Sequence, residues 1–312
     1  MENAGSGPRD GQFSQGSARP GLAEAYVVWA LFGVAALLDV ITYSRIRPED
    51  LYHTSHGGLG GGLGRALVFL NYPTALIAIA IVVLVADRTR WTWPAVLAVA
   101  LCAVIVVPGV VDQSDLDATW INVVPALGVL IAFALTVRSG RDGWGDPRGD
   151  AIRIAAAVAL TILALPWLFA QLGFYIPGGI FLAHERYHGA AVVHLGEHHG
   201  FEGLLLVVSA LLLSRQLPRM RRPTPLAVYL SLMIAYGIGN MANDAWYEQL
   251  VKRGWLDWRI PGVMRPDLTW MWGLVILVGV AIYGLFWREV GRDEARKVGD
   301  PRGSGGEAGV TR

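Results

Sequence analysis

Cysteine occurs once, at Cys102 within an apolar run, which excludes disulfides, paired redox thiols and thiolate zinc cages. Lysine occurs only as Lys252 and Lys297, so the positive charge is almost all arginine. Charged residues make up 16% of the chain, against roughly 25% in an ordinary soluble domain. The net charge of +1 gives no reason to expect a nucleic-acid partner. The run GGLGGGLG (57–64) lacks the G-x-G-x-x-G spacing, and no GK[ST] segment exists, so nucleotide phosphate loops are excluded as well. A G-x-S-x-G serine elbow is missing too.

Where charge is missing, apolar sequence takes its place: 54% of residues are hydrophobic and the mean hydropathy is +0.43. A membrane span needs about 20 mainly apolar residues. Such segments fall at 24–44, 66–86, 93–111, 118–137, 152–174, 195–214, 225–247 and 269–287. The expected fold is an all-α integral membrane protein, a bundle of about eight transmembrane helices over residues 24–288. Prolines 73, 94, 108, 125 and 166 lie in or at the ends of these spans, where bundled neighbours tolerate kinks. Residues 1–23 and 289–312 are Gly-, Ser- and charge-rich without apolar periodicity, and read as disordered cytoplasmic tails. The first of them lacks the apolar core of a signal peptide, so the first span is expected to be retained.

Basic residues set the orientation. With both termini cytoplasmic, 18 of the 26 Arg and Lys residues fall inside, and RQLPRMRRP between spans six and seven is the strongest anchor. Trp91, Trp93, Trp120, Trp246, Trp255, Trp258, Trp270 and Trp272 fall near span ends, as interfacial tryptophans should. The expected location is the cell membrane, as a multi-pass protein.

All seven histidines then lie on the outer side. His53 and His56 sit in the first outer loop, and His184, His188, His194, His198 and His199 lead into span six. On a helix the last five occupy an arc of about 140°. His194, His198 and Glu202 follow at i, i+4 and i+8, and span seven ends in a matching stripe of Asn240, Asp244 and Glu248, with Asn243 beside it. Asp112, Asp115 and Asp117 occupy the outer turn between spans three and four, and Asp39 lies near the outer end of span one. Neutral imidazoles and carboxylates converging in a bundle suit zinc or non-haem iron. Within the stretch, HERYH (184–188) fits H-E-x-x-H and HLGEH (194–198) fits H-x-x-E-H.

These patterns define a divalent-metal site, zinc or iron, with His184, His188, His194, His198, His199, Glu202, Asp244, His53 and His56 as candidate ligands. Glu185 and Glu197 are the candidate proton-transfer groups. The expected function is a metal-dependent membrane enzyme, hydrolase or oxidoreductase, acting on a lipid or other apolar small molecule near the outer leaflet. Two alternatives stand beside it: a metal-ion-handling transporter, or an accessory membrane protein whose histidines merely line the interface. Inner span halves that read as almost purely apolar favour the enzyme over the transporter.

Overall fold

The structure is a computed structural model that describes residues 22–48, 55–107, 110, 117–141, 143–171, 186–187, 190–191, 199–251, 254–263 and 269–287. Among these residues the chain forms helices α1 (Ala23–Tyr43), α2 (Gly58–Thr89), α3 (Trp93–Ala103), α4 (Val123–Ser139), α5 (Asp150–Leu163), α6 (Leu165–Gln171), α7 (His199–Leu213), α8 (Pro223–Ala245) and α9 (Trp270–Ile282). The rest of the regular structure is short helical turns and a two-residue antiparallel ladder, Arg186–Tyr187 against Ala190–Ala191.

Among the described residues, six helical stretches are long and apolar enough to cross a membrane: Ala23–Tyr43, Gly58–Thr89, Trp120–Ser139, His199–Arg219, Pro223–Ala245 and Trp270–Trp287. Two expected spans differ. The third is a helical stretch at Trp93–Val106, roughly 21 Å long at 1.5 Å per residue. The fifth is broken at Ala164 into α5 and α6. Pro166 accounts for the break, because its ring has no N–H and collides with the carbonyl four residues earlier.

The glycine run GGLGGGLG (57–64) serves close helix packing. Gly58–Gly64 form the first turns of α2, and a Cβ at Gly62 would lie 2.2 Å from the Ser44 hydroxyl and 2.7 Å from the Val40 carbonyl. Bare backbone at that point lets α1 pack directly on α2. Arg65, wholly buried one turn later, donates to the Tyr43 carbonyl at 2.9 Å and to the His56 carbonyl at 2.5 Å, closing the end of α1 over α2.

Helix α2 is the centre of the bundle, with 83% of its apolar window buried, whereas 17% of the window of the last span is. On the rim, α5 has no buried residue and presents Ile152, Ile154, Val158 and Ile162 outward. Apolar side chains facing out in such numbers are what a lipid solvent permits and water does not.

At one end of the bundle a polar clasp ties α1 and α5 to the helical turn Ser214–Arg219 that follows α7. The fully buried Glu24 carboxylate accepts from the Gly145 N–H at 2.7 Å, from Arg215 at 3.0 Å and from the Gln216 amide. Arg215 also pairs with Asp150 at 3.2 Å and lies over the Trp144 ring, while its own carbonyl accepts from the Asp146 N–H. Arg153 extends the group to Ser214 at 2.9 Å. Thr136 and Ser231 are buried in the same half but spend their hydroxyls on their own helices, on Ala132 and Ala227. That half is therefore less apolar than its sequence reads, and its polar groups close on one another.

Candidate functional site

Helices α7 and α8 position the other end. Gly203 and Gly237 face each other: a Cβ on Gly203 would meet the Gly237 carbonyl at 2.4 Å, and one on Gly237 the Gly203 carbonyl at 2.6 Å. This approach sets the depth and rotation of the first turn of α7. Asp244, 2% exposed on α8, then accepts the Gly200 N–H at 2.9 Å. An orphan donor of the first helical turn is satisfied by a carboxylate, which the helix dipole also favours. Trp167 of α6 covers the same turn, since a Cβ on Gly200 would fall 2.1 Å from its indole. His199 is thereby held with Nδ1 3.4 Å from the Glu202 carboxylate, and Glu202 is 1% exposed.

Glu202 is the hub of a buried polar core. Asp39 of α1, also 1% exposed, lies within its electrostatic reach, and both Asp39 carboxylate oxygens are without a hydrogen-bond partner. Tyr72 of α2 and Tyr236 of α8 lie within the electrostatic reach of Glu202 as well, their ring centroids 5.9 Å apart and their phenols hydrogen-bonded. Asn240, one turn beyond Tyr236, sets its amide beside that phenol and keeps a buried, unpartnered Oδ1. Trp272 stacks on Tyr236 at 5.1 Å, so this tryptophan serves the core instead of an interfacial belt. By contrast Trp91, Trp93, Trp120, Trp255, Trp258 and Trp270 are exposed near helix ends.

Of the residues singled out in the sequence, the structure brings His199, Glu202 and Asp244 together at the start of α7. His184, Glu185, His188, His194, Glu197, His198 and His53 lie outside the described residues, as do Asp112 and Asp115, the Glu248 side chain, and the tails 1–21 and 288–312. His56 is placed elsewhere: its side chain is 75% exposed, with Nδ1 3.3 Å from Asp117. Among the described residues no three His, Cys, Asp or Glu side chains stand where they could hold one metal ion. Asp39 was visible in the sequence only as a position near a span end. Tyr72 and Tyr236 gave no signal there, because a tyrosine in an apolar span reads as core.

Asp117 ties two loops rather than joining this core. It accepts from the Ser55 amide at 2.7 Å and from the Ser55 hydroxyl. Partial burial would raise its carboxyl pKa, but the Ser55 and His56 hydrogen bonds outweigh that and hold it below the usual value. A depressed carboxylate contributes stability above its unfolded pKa, near 3.9, and loses it as pH falls through the folded value. The advantage of wild type over Asp117→Asn in thermal stability should therefore be present at about pH 5, begin to shrink as pH falls toward the unfolded pKa, and be lost only below the folded one. A difference that persists in acid would show the tie does not depend on the charge.

These features define a class: a helical protein with, among the described residues, six helices long and apolar enough to span a membrane and a buried carboxylate–tyrosine core at one end of the bundle. No family model, no curated protein and no solved structure matches the chain.

Proposed function

We propose that the protein is a multi-pass membrane metalloenzyme of about eight spans, with both termini cytoplasmic, acting on a lipid or other apolar substrate at the outer face of the cell membrane. One observation carries the reading. The buried core of Glu202, His199 and Asp39 lies at the very end of the bundle into which the His184–His198 segment leads. Ionisable groups buried among membrane helices are costly and mark functional sites.

In this reading His184, His188, His194 and His198 ligate zinc or iron, with His199 and Glu202 beside them. Asp244 holds the first turn of α7, and so orients His199. A bound metal supplies Lewis acidity and stabilises developing negative charge. Glu185 and Glu197 move protons to and from the substrate, a contribution of typically 10²–10⁴-fold. The exposed apolar faces of the rim helices give a lipid substrate a route to the site from within the bilayer.

Elemental analysis of the purified protein is the test. Near-stoichiometric zinc or iron is expected, and His188→Ala or His198→Ala should remove most of it, since each deletes a direct ligand. Folded protein that carries no metal would overturn the reading. Glu185→Gln and Glu197→Gln separate catalysis from ion carriage. In an enzyme at least one of the two keeps the metal and loses turnover, whereas in a carrier binding and transport fall together.

A further inference from the structure

The arginine-rich end of the bundle holds more positive charge than its polar clasp uses. Asp87, in the last turn of α2, accepts the backbone N–H groups of Arg221 at 3.0 Å and Arg222 at 3.3 Å, and both arginine side chains stay exposed. Arg90, also exposed, follows Asp87 by three residues, so these arginines gather around one carboxylate. Arg90 ends α2 at φ 75°, and among the described residues it is the one non-glycine residue at positive φ. Non-glycine residues rarely adopt that conformation, and it concentrates at sites such as ligand clamps. Arg88 donates to the Ser139 carbonyl at 3.4 Å, which sets the end of α4, with exposed Arg138, alongside. The other carboxylates described at this end are taken: Glu24 by Arg215, Asp146 by Arg148 and Asp150 by Arg153.

Apolar surface adjoins this charge. Trp91 and Trp93, between α2 and α3, are exposed, and further along the neighbouring helices Val96 and Leu97 of α3 and Phe133 and Val137 of α4 face outward. Cys102 of α3 meets Gly128 of α4, so the two helices form one continuous face. Arginine, then tryptophan, then aliphatic side chains is the order in which a lipid presents phosphate, glycerol and acyl chains. We infer that Arg90, Arg138, Arg221 and Arg222 form a docking surface for the phosphate of an anionic phospholipid, with Trp91 and Trp93 at its glycerol level and the α3–α4 face along its acyl chains. Guanidinium groups suit this role, since each can offer a phosphate two parallel N–H donors. A soluble phosphate would use the arginines and leave the apolar face bare, so the lipid is the occupant. The inference rests on the membrane reading above and not on its metal. With the orientation read from the sequence, the lipid belongs to the cytoplasmic leaflet.

The test offers delipidated full-length protein in detergent equal amounts of phosphatidylglycerol and phosphatidylcholine with the same acyl chains. After repurification the bound lipid is extracted and counted by mass spectrometry. Phosphatidylglycerol should be retained in excess, and the excess should shrink as salt rises from about 50 to about 500 mM. Each arginine replaced by glutamine should weaken retention roughly fivefold, and Arg90→Gln, Arg221→Gln and Arg222→Gln combined on the order of a hundredfold. Asp87 is bonded to the backbone of Arg221 and Arg222, so these side-chain changes leave that tie in place. If the triple variant does not fold, Arg138→Gln and the salt dependence of the wild type decide the matter. Arg259→Gln, exposed beyond the opposite end of α8, should keep the full preference. Glycerol phosphate at matched ionic strength should not displace the lipid. Equal retention of the two lipids, a preference unchanged in the arginine variants, an equal loss in Arg259→Gln, or displacement by glycerol phosphate would each overturn the assignment. Protein recovered in the soluble fraction of lysed cells would overturn the membrane reading itself, whereas membrane-bound protein that retains both lipids equally overturns the docking surface alone.

Discussion

Glu24→Ala should lower stability by about 3–5 kcal/mol, the cost typical of removing one partner from a buried ion pair. The carboxylate receives three donors at once, from Gly145, Arg215 and Gln216, and all three would be left facing an apolar gap. Arg215 keeps Asp150 at 3.2 Å, which limits the loss on its side. Glu24→Gln retains an oxygen for the Gly145 N–H but loses the charge and the second oxygen, which accepts from Gln216, so it should fall between wild type and Ala. A drop in melting temperature on the order of 5–10 °C in detergent is expected for Ala. Equal, small effects from both substitutions would mean that water already reaches the carboxylate.

This residue also shows what could be read from the chain and what could not. The apolar runs identified nearly every helix, because twenty uncharged residues permit little else. Glu24, however, fell at the edge of the first run and was counted with the apolar residues around it. Arg215 and Arg219 were read as orientation signals, yet Arg215 is locked to Glu24 and Asp150, and Arg219 donates to the Trp144 carbonyl. Charge in a short loop carries both meanings, and only the partner's position separates them. At the site, the helical spacing of Glu202 and Asp244 placed both on one polar end, as observed. Asp39 and the two tyrosines come from helices far apart in sequence, and no periodicity within one segment reports which distant helix packs against it. Pro166 was read as a kink that neighbours would absorb, and the helix instead breaks there.

Gly237→Leu should be as damaging as the loss of Glu24, for a steric reason. A Cβ there would lie 2.6 Å from the Gly203 carbonyl and 2.8 Å from a Val207 methyl, so even alanine forces α7 and α8 apart. Overpacking of this kind costs about 1–3 kcal/mol, and leucine belongs at or above the upper end. The displacement would reach the site, because the same helix pair sets the 2.9 Å contact from Gly200 to Asp244. If the proposed metalloenzyme reading holds, loss of metal should therefore accompany the loss of stability. Gly273→Ala, in a helix where an added Cβ meets nothing within 4 Å, is the control. It should be neutral or stabilising by up to about 1 kcal/mol. If Gly237→Ala and Gly273→Ala behave alike, the backbone contact between α7 and α8 is not what holds that crossing.

Helix α2 spans Gly58–Thr89, 32 residues, or about 48 Å at 1.5 Å per residue, whereas the hydrocarbon core of a bilayer is about 30 Å thick. A lone helix of that length would have to lean steeply or distort the lipid around it. Here the protein surrounds most of its apolar length, 83% of which is buried, while Leu59 and Leu63 in its first turns stay exposed. Apolar character in this chain therefore has two settings: an outward-facing rim, as on α5, and the protein's own interior along the axis of α2.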